Sequence, residues 1–443
     1  MNRGFYIIMA AQFFSSLADN ALLIASIALL MHMDGPAWMT PLLKFFFTVS
    51  YVVLAPFVGP FADAFPKGRV MFVTNTVKIV GCITMLFYEF FVGFGATPYV
   101  VVLVAYTIVG LGAAAYSPAK YGLLTELLPP EKLVVANGWI EGLTVGSIIA
   151  GTVLGGVLIK KDVSIALLSI DVPMFQTSID TAAEAAMAVI VFFYIIAAII
   201  NLYIPDTGAR YAKQQTNPIK LLSQFGHCFK TLWKDRLGQI SLAVTTLFWG
   251  AGATLQFIVL RWADKELGIP LSQATVIQGV FAFGIAFGAA TAARYVPLTR
   301  SLTVLPVGIA MGFVVMSMVM VTAMPLVFTL MIVVGALAGF FVVPMNALLQ
   351  HRGHILLSAG NSIAVQNFNE NLSILVMLAV YAFMLSHHLQ INTIILIFGC
   401  FVSLTMLALL YRHRLNQKLH GDAERLIGIE KGETPSHFQE RPH

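Results

Sequence analysis

The sequence predicts an all-α polytopic membrane protein with about twelve transmembrane helices. Three observations predict it. Of the 443 residues, 58% are hydrophobic and 11% are charged, and the mean hydropathy is +0.84. No soluble domain needs so much apolar surface. The apolar residues fall into runs long enough to cross a ~30 Å hydrocarbon core as helices. Finally, Lys and Arg are sorted onto alternate loops, as membrane insertion requires.

The runs cover roughly 5–33, 39–62, 70–93, 98–119, 133–159, 183–204, 238–262, 272–294, 301–322, 325–349, 356–386 and 390–411. Asp34-Gly35-Pro36, Pro66-Lys67-Gly68, Pro129-Pro130 and Pro205 punctuate them. With a cytoplasmic N-terminus, the outside loops carry only Lys160, Lys161, Arg261 and Lys265. Lys44 and Lys78 lie within spans, and every other Lys and Arg falls inside. The reading is a six-helix half over 1–204, a cytoplasmic linker over 205–237, a second six-helix half over 238–411, and a cytoplasmic tail over 412–443 expected to be disordered. Within the linker, Ile219 to Trp233 is amphipathic and suits a membrane surface. The outer loop from Lys160 to Glu184 is mildly acidic and suggests no role.

Several function classes are excluded at this level. The net charge of +5 comes from short inside loops and is no nucleic-acid footprint. Cys82, Cys228 and Cys400 lack CxxC spacing, so neither a disulfide framework nor a metal site is expected. No GxxxxGK[ST] loop occurs, so the chain does not drive its work by its own nucleotide hydrolysis. No cofactor and no catalytic residue is expected. The N-terminal run is too long for a signal peptide and contains Asp19.

Polar residues inside the spans are the candidates for function. In the first span Gln12, Ser15, Ser16 and Asp19 recur at i, i+3, i+4 and i+7 and share one helical face, with Asn20 beside it. A mid-span carboxylate costs about 2.5–3.5 kcal/mol on insertion, so it faces a bundle interior or a wet cavity. The eleventh span repeats the pattern with Gln366, Asn369, Glu370 and Ser373, widened by Asn367 and Asn371. Two acid-bearing stripes point to a polar pathway through the membrane.

The fourth span ends in a run of small residues, then Tyr116, Ser117, Pro118 and Lys120. Small residues allow close helix contact, and Pro118 lets the helix end or kink. Two fates suit Lys120: an ammonium for a phosphate, or snorkelling to lipid headgroups. Asn137 and Glu141 share a face of the fifth span; Glu141 is either partnered by a neighbouring helix or near the inner interface. In the seventh span Trp249 and Gln256 flank glycines that mark close packing or an unwound, cavity-lining segment. The tenth span carries Asn346 and Gln350 beside Pro344, echoing the fourth. Between the second and third spans, Gly59, Asp63, Lys67 and Arg69 lie in a tight basic turn that obeys the positive-inside bias.

Six plus six spans about a basic linker resemble the major facilitator superfamily, two pseudo-symmetric halves rocking around a mid-membrane site. The turn resembles that superfamily's signature loop, which implies that Gly59, Asp63, Lys67 and Arg69 help latch the cytoplasmic gate, although Ala64 and Pro66 depart from the pattern. The runs AQFFSSLADNALL, APFVGPFADAFPKGRV, GAAAYSPAKYGLL, LFWGAGATLQF, GFFVVPMNALLQHRG and AGNSIAVQNFNEN are similar to those of the bacterial lysophospholipid transporters. The resemblance covers nearly the whole chain. It implies a flippase moving lysophosphatidylethanolamine and lysophosphatidylglycerol from the outer to the inner leaflet of the bacterial inner membrane. Re-acylation by a cytoplasmic-side acyltransferase/acyl-carrier-protein synthetase would follow. The family's first-span acid matches Asp19, with Asn20 beside it, and its SPAKYG lysine matches Lys120.

The resulting expectation is a monomeric, multi-pass inner-membrane transporter with both termini cytoplasmic, working by alternating access with lateral lipid entry. Asp19 and Asn20 would meet the headgroup amine or a polar network, and Lys120 the phosphate. Gln12, Ser16, Tyr116, Trp249, Gln256, Asn346, Gln350, Gln366, Asn369 and Glu370 would complete the substrate site. Phe45, Phe283, Phe287 and Phe341 are among those offered to the acyl tail. One rival is a proton-coupled multidrug exporter of the same fold, with Asp19 and Glu370 as proton carriers. A membrane scaffold that recruits the acyltransferase is another, and two acids in the bilayer argue against it.

Overall fold

A computed structural model describes residues 3–33, 39–169, 179–209, 211, 217–269 and 271–420. The turn Asp34-Gly35-Pro36, residues 210 and 212–216 of the linker over 205–237, and the tail beyond His420 lie outside the described residues. Among those described there are helices and no strand.

The helices are α1 (Arg3–His32), α2 (Met39–Ala64), α3 (Lys67–Leu86), α4 (Tyr88–Gly93), α5 (Pro98–Leu127), α6 (Leu133–Leu158), α7 (Lys161–Leu168), α8 (Ala182–Leu202), α9 (Pro218–Lys234), α10 (Gly238–Lys265), α11 (Leu271–Tyr295), α12 (Leu305–Met316), α13 (Met324–Leu356), α14 (Ala359–Ser386) and α15 (Ile391–His420). All but α4, α7 and α9 belong to the twelve stretches long and apolar enough to cross a membrane. The ninth stretch joins α12 to flanking 3-10 turns over Leu298–Met320.

Helix ends differ from the sequence reading at the prolines. Pro118 does not end the fourth span, which runs on to Leu127, and Pro344 lies within α13, which runs on to Leu356. In a membrane bundle, neighbouring helices satisfy the backbone groups that a proline frees, so it is tolerated inside a span. The last helix continues to His420 rather than stopping near 411. Glu184 belongs to the first turn of α8, not to a loop. Thr181 Oγ1 accepts from the Glu184 amide (3.2 Å) while Glu184 Oε2 accepts from the Thr181 amide (2.8 Å). This reciprocal cap satisfies donors that the helix start would otherwise leave unpaired.

The chain forms two compact units. One is Met1–Leu123 with Leu143–Ser223; the other is Leu124–Gly142 with Gln224–His443, as far as these are described. The helix pairings inside the two units repeat. In the first, α8 packs on α1 and α3, α5 meets α2 at Gly110, and α6 meets α1 at Gly151 and Gly155. In the second, α15 packs on α10 and α12, α13 packs on α11, and α14 meets α10 at Gly250. Taken in chain order, the spans pair one-six, three-six, two-four and one-five in both. Span eleven is therefore the equivalent of span five, and the acid-bearing stripe on α14 has its internal counterpart on α6.

Small residues set the tightest of these contacts. A Cβ on Gly288 of α11 would overlap the Ala336 carbonyl of α13, and one on Gly339 would overlap the Ile285 carbonyl. Gly288→Val is therefore expected to lower stability by about 1–3 kcal/mol, read as a lower unfolding temperature in detergent. Gly142→Ala is the control, because a Cβ there meets nothing within 4 Å. Its unfolding temperature should not fall.

The amphipathic stretch forms α9. Cys228 and Leu232 pack with Leu242, Leu349 and Val365, and Phe225 and Phe229 meet Phe368 edge-on. Ile219 and Leu222 stay exposed at its start.

Candidate functional site

The first unit builds a charged cluster where α1, α3 and α8 meet. Asp19 on α1 accepts from Lys78 Nζ at Oδ2 and from Tyr194 OH at Oδ1, both at 2.7 Å. Lys78 Nζ also donates to Ser15 Oγ (3.0 Å), and Ser15 Oγ donates to Asn75 Oδ1 (3.0 Å). Asn75 Nδ2 donates to the Tyr194 carbonyl (2.7 Å), which ties α3 to α8. The ammonium lies over the rings of Tyr116 (5.1 Å) and Tyr194 (5.9 Å), so cation–π attraction adds to the ion pair. Gly112 of α5 makes room: a Cβ there would come within 2.8 Å of Lys78 Cγ.

Burial is unequal across this pair. The Lys78 side chain is 2% exposed and that of Asp19 is 19%. A buried ion pair survives only where hydrogen bonds satisfy the remaining donors and lone pairs. Here Ser15, Tyr194 and two ring faces do so. The carboxylate is the member that other molecules can reach.

The first-span stripe is thus split. Ser15 and Asp19 enter the cluster, and Gln12 is buried. Asn20 instead turns its amide back to the Ser16 carbonyl (2.8 Å). Lys120 is buried with its ammonium 4.1 Å from the Tyr121 ring centre.

The second unit holds an amide ladder that carries two carboxylates. Asn346 Nδ2 donates to Glu141 Oε1 (3.1 Å), and Gln366 Nε2 donates to both Asn346 Oδ1 (3.1 Å) and Glu370 Oε1 (2.8 Å). One turn away, Asn137 and Gln350 exchange amide hydrogen bonds, each 2.9 Å. All six side chains are buried. Of the two readings open for Glu141, the structure shows a partner on a neighbouring helix. Asn369 turns back to the Val365 carbonyl (2.8 Å). Gln256 is exposed on α10 and donates to Gln278 Oε1 (3.2 Å), while Trp249 is half-buried against Phe248. Phe341 is fully buried, so it offers no surface to an acyl tail; Phe45, Phe283 and Phe287 are exposed.

The basic turn is shorter than a loop. Gly59 and Asp63 lie in α2, and Lys67 and Arg69 open α3. Asp63 and Lys67 form a buried ion pair (2.9 Å) across it, and Lys67 also faces the Tyr211 ring (4.8 Å). Arg69 is exposed. In the second unit Arg352 grips Asp235 with two hydrogen bonds (2.7 and 3.2 Å), and Asp235 Oδ2 also accepts from the Gly238 amide (2.8 Å).

Comparison with known proteins fits this architecture. The family model of the Major Facilitator Superfamily matches residues 5–376. The lysophospholipid transporter LplT of Yersinia enterocolitica is 40% identical over 383 residues, 86% of this chain and 87% of that one. The protein of the same name from Yersinia pestis (strain Pestoides F) is 41% identical over the same shares. The chain belongs to the lysophospholipid transporter family of the major facilitator superfamily. Among solved structures, the E. coli fucose:proton symporter FucP has a TM-score of 0.68 at 14% identity, covering 93% of this chain and 98% of its own. A bacterial homologue of the iron transporter ferroportin has a TM-score of 0.67 at 14% identity, covering 94% and 99%. These two share the fold.

Lys78, Asn75 and Tyr194 of this transporter were not among the residues singled out from sequence. A signal for two of them was present. Asn75 and Lys78 lie three apart on one face of an apolar helix, and an acid inside the same six spans needs a cation. Only Lys44 and Lys78 lie within spans as predicted.

Proposed function

We propose that this transporter moves lysophospholipid, with an ethanolamine or glycerol headgroup, from the outer to the inner leaflet of the bacterial inner membrane for re-acylation. The observation that carries the reading is Asp19: a partly accessible carboxylate held between Lys78 and Tyr194 inside an apolar bundle, in a chain 40% identical to proteins named for that substrate. A lysophospholipid pairs a charged head with one apolar chain. The cluster suits the head, and exposed Phe residues such as Phe45 on α2 suit the chain. On this reading the halves 1–204 and 238–411 alternate in access, the lipid enters sideways, Lys120 meets the phosphate, and the turn at Asp63 and Lys67 serves the gate. Both termini would be cytoplasmic, and a cytoplasmic acyltransferase would consume the product.

The test is uptake of a fluorescent lysolipid into vesicles containing only this protein, with and without an imposed Na⁺ or H⁺ gradient. Uptake should exceed that of protein-free vesicles, and uptake of the ethanolamine lipid should fall to background with Asp19→Ala. Wild-type vesicles no better than empty ones would sink the reading. Movement of cationic drugs alone, driven by a pH gradient, would favour the exporter.

A further inference from the structure

Lys78 has a feature that helix packing alone does not require. A buried ion pair is no more stabilising than an apolar pair of similar volume, yet α1 and α3 meet through charge. The pair is also lopsided. Its cation is sealed by Tyr116, Tyr194 and Gly112, while its anion remains reachable. Lys78 therefore acts on an incoming headgroup through Asp19 and through its own field. Both carboxylate oxygens are engaged, one by Lys78 and one by Tyr194, which fixes the orientation of the group.

We propose that Lys78 is a specificity-determining positioning residue: by pairing with Asp19 it cancels the charge which that carboxylate would otherwise present to the headgroup. The site then admits zwitterionic and anionic lysolipid heads alike. This rests on the lysolipid-transport reading. Without Lys78, the bare carboxylate repels the phosphate that every such lipid carries. A zwitterionic head offsets that repulsion with its own ammonium, whereas an anionic head has nothing to offset it. Without the Asp19 charge, the residual ammonium favours the anionic head.

The experiment compares uptake of lysolipids with ethanolamine and glycerol headgroups into vesicles made with the full chain. The readout is the ratio of the two rates. Lys78→Met is expected to lower the glycerol-to-ethanolamine ratio by roughly tenfold, and Asp19→Asn to raise it by a similar factor. The double variant should return near the wild-type ratio, and Lys78→Arg should keep it. Asp19→Asn is nearly isosteric and decides the matter alone if Lys78→Met does not fold. Ratios unchanged in the single variants, whatever happens to the rates, would overturn the proposal and leave the pair a purely structural tie. A wild type that moves neither lipid refutes the transport reading itself, an outcome distinct from unchanged ratios.

Discussion

Lys78→Met is expected to destabilise the transporter by about 3–5 kcal/mol, among the largest effects of a single substitution. The reason is what the change leaves behind. Asp19 would keep its Tyr194 hydrogen bond and lose its counter-charge, inside a bundle where an unpaired carboxylate is costly. Ser15 would lose the ammonium that donates to it, and the two tyrosine rings would lose their cation. The 19% exposure of the Asp19 side chain lets water reach it, which places the effect toward the lower end of the range. Asp19→Asn combined with Lys78→Met removes both charges and should recover most of the loss, because the coupling belongs to the pair. Thermal unfolding in detergent across the four proteins measures it. A Lys78→Met protein as stable as wild type would show that the pair contributes nothing to the fold.

The span count was readable from hydropathy alone, because the cost of an unsatisfied backbone in hydrocarbon forces every crossing into a long helix. Helix ends were less readable. Pro118 looks like a terminator by soluble-protein logic, and the bundle overrides it. In the site, Asp19 stood out as an acid in an apolar run, and periodicity placed Ser15 beside it. Its partners did not stand out. Which cation and which hydroxyl reach Asp19 depends on how α3 and α8 pack against α1, and no local pattern encodes a pairing across 59 or 175 residues. Asn20 was read as lying beside the polar stripe, and its amide turns back to the Ser16 carbonyl of its own helix. A short amide in an apolar span has that option wherever the i−4 carbonyl is within reach. The echo between Pro118 and Pro344 was legible, whereas the equivalence of α14 with α6 emerges only from the helix pairings.

Breaking the amide pair between Asn137 and Gln350 is expected to have the second large effect. Each side chain satisfies the other through two 2.9 Å hydrogen bonds at 0% and 1% exposure. Asn137→Leu leaves the Gln350 amide buried without that partner, a loss of about 1–3 kcal/mol. Gln350→Leu does the same to Asn137, although Asn137 Nδ2 keeps the Leu133 carbonyl (2.9 Å) and should suffer less. Replacing both with Leu removes the stranded groups together, so the double variant should approach wild-type stability. Transport should not recover with it. Residues 124–142 group with the second unit and 143–223 with the first, so the pair fixes to α13 the opening turns of a helix whose remainder belongs elsewhere. On the proposed alternating access, that tie would form and release. A pair of leucines supplies packing without the directional bonds that set its strength. Unfolding temperature and lysolipid uptake, measured on the same three variants, separate the two effects. Uptake that tracks stability through the double variant would show that the amide pair serves the fold alone.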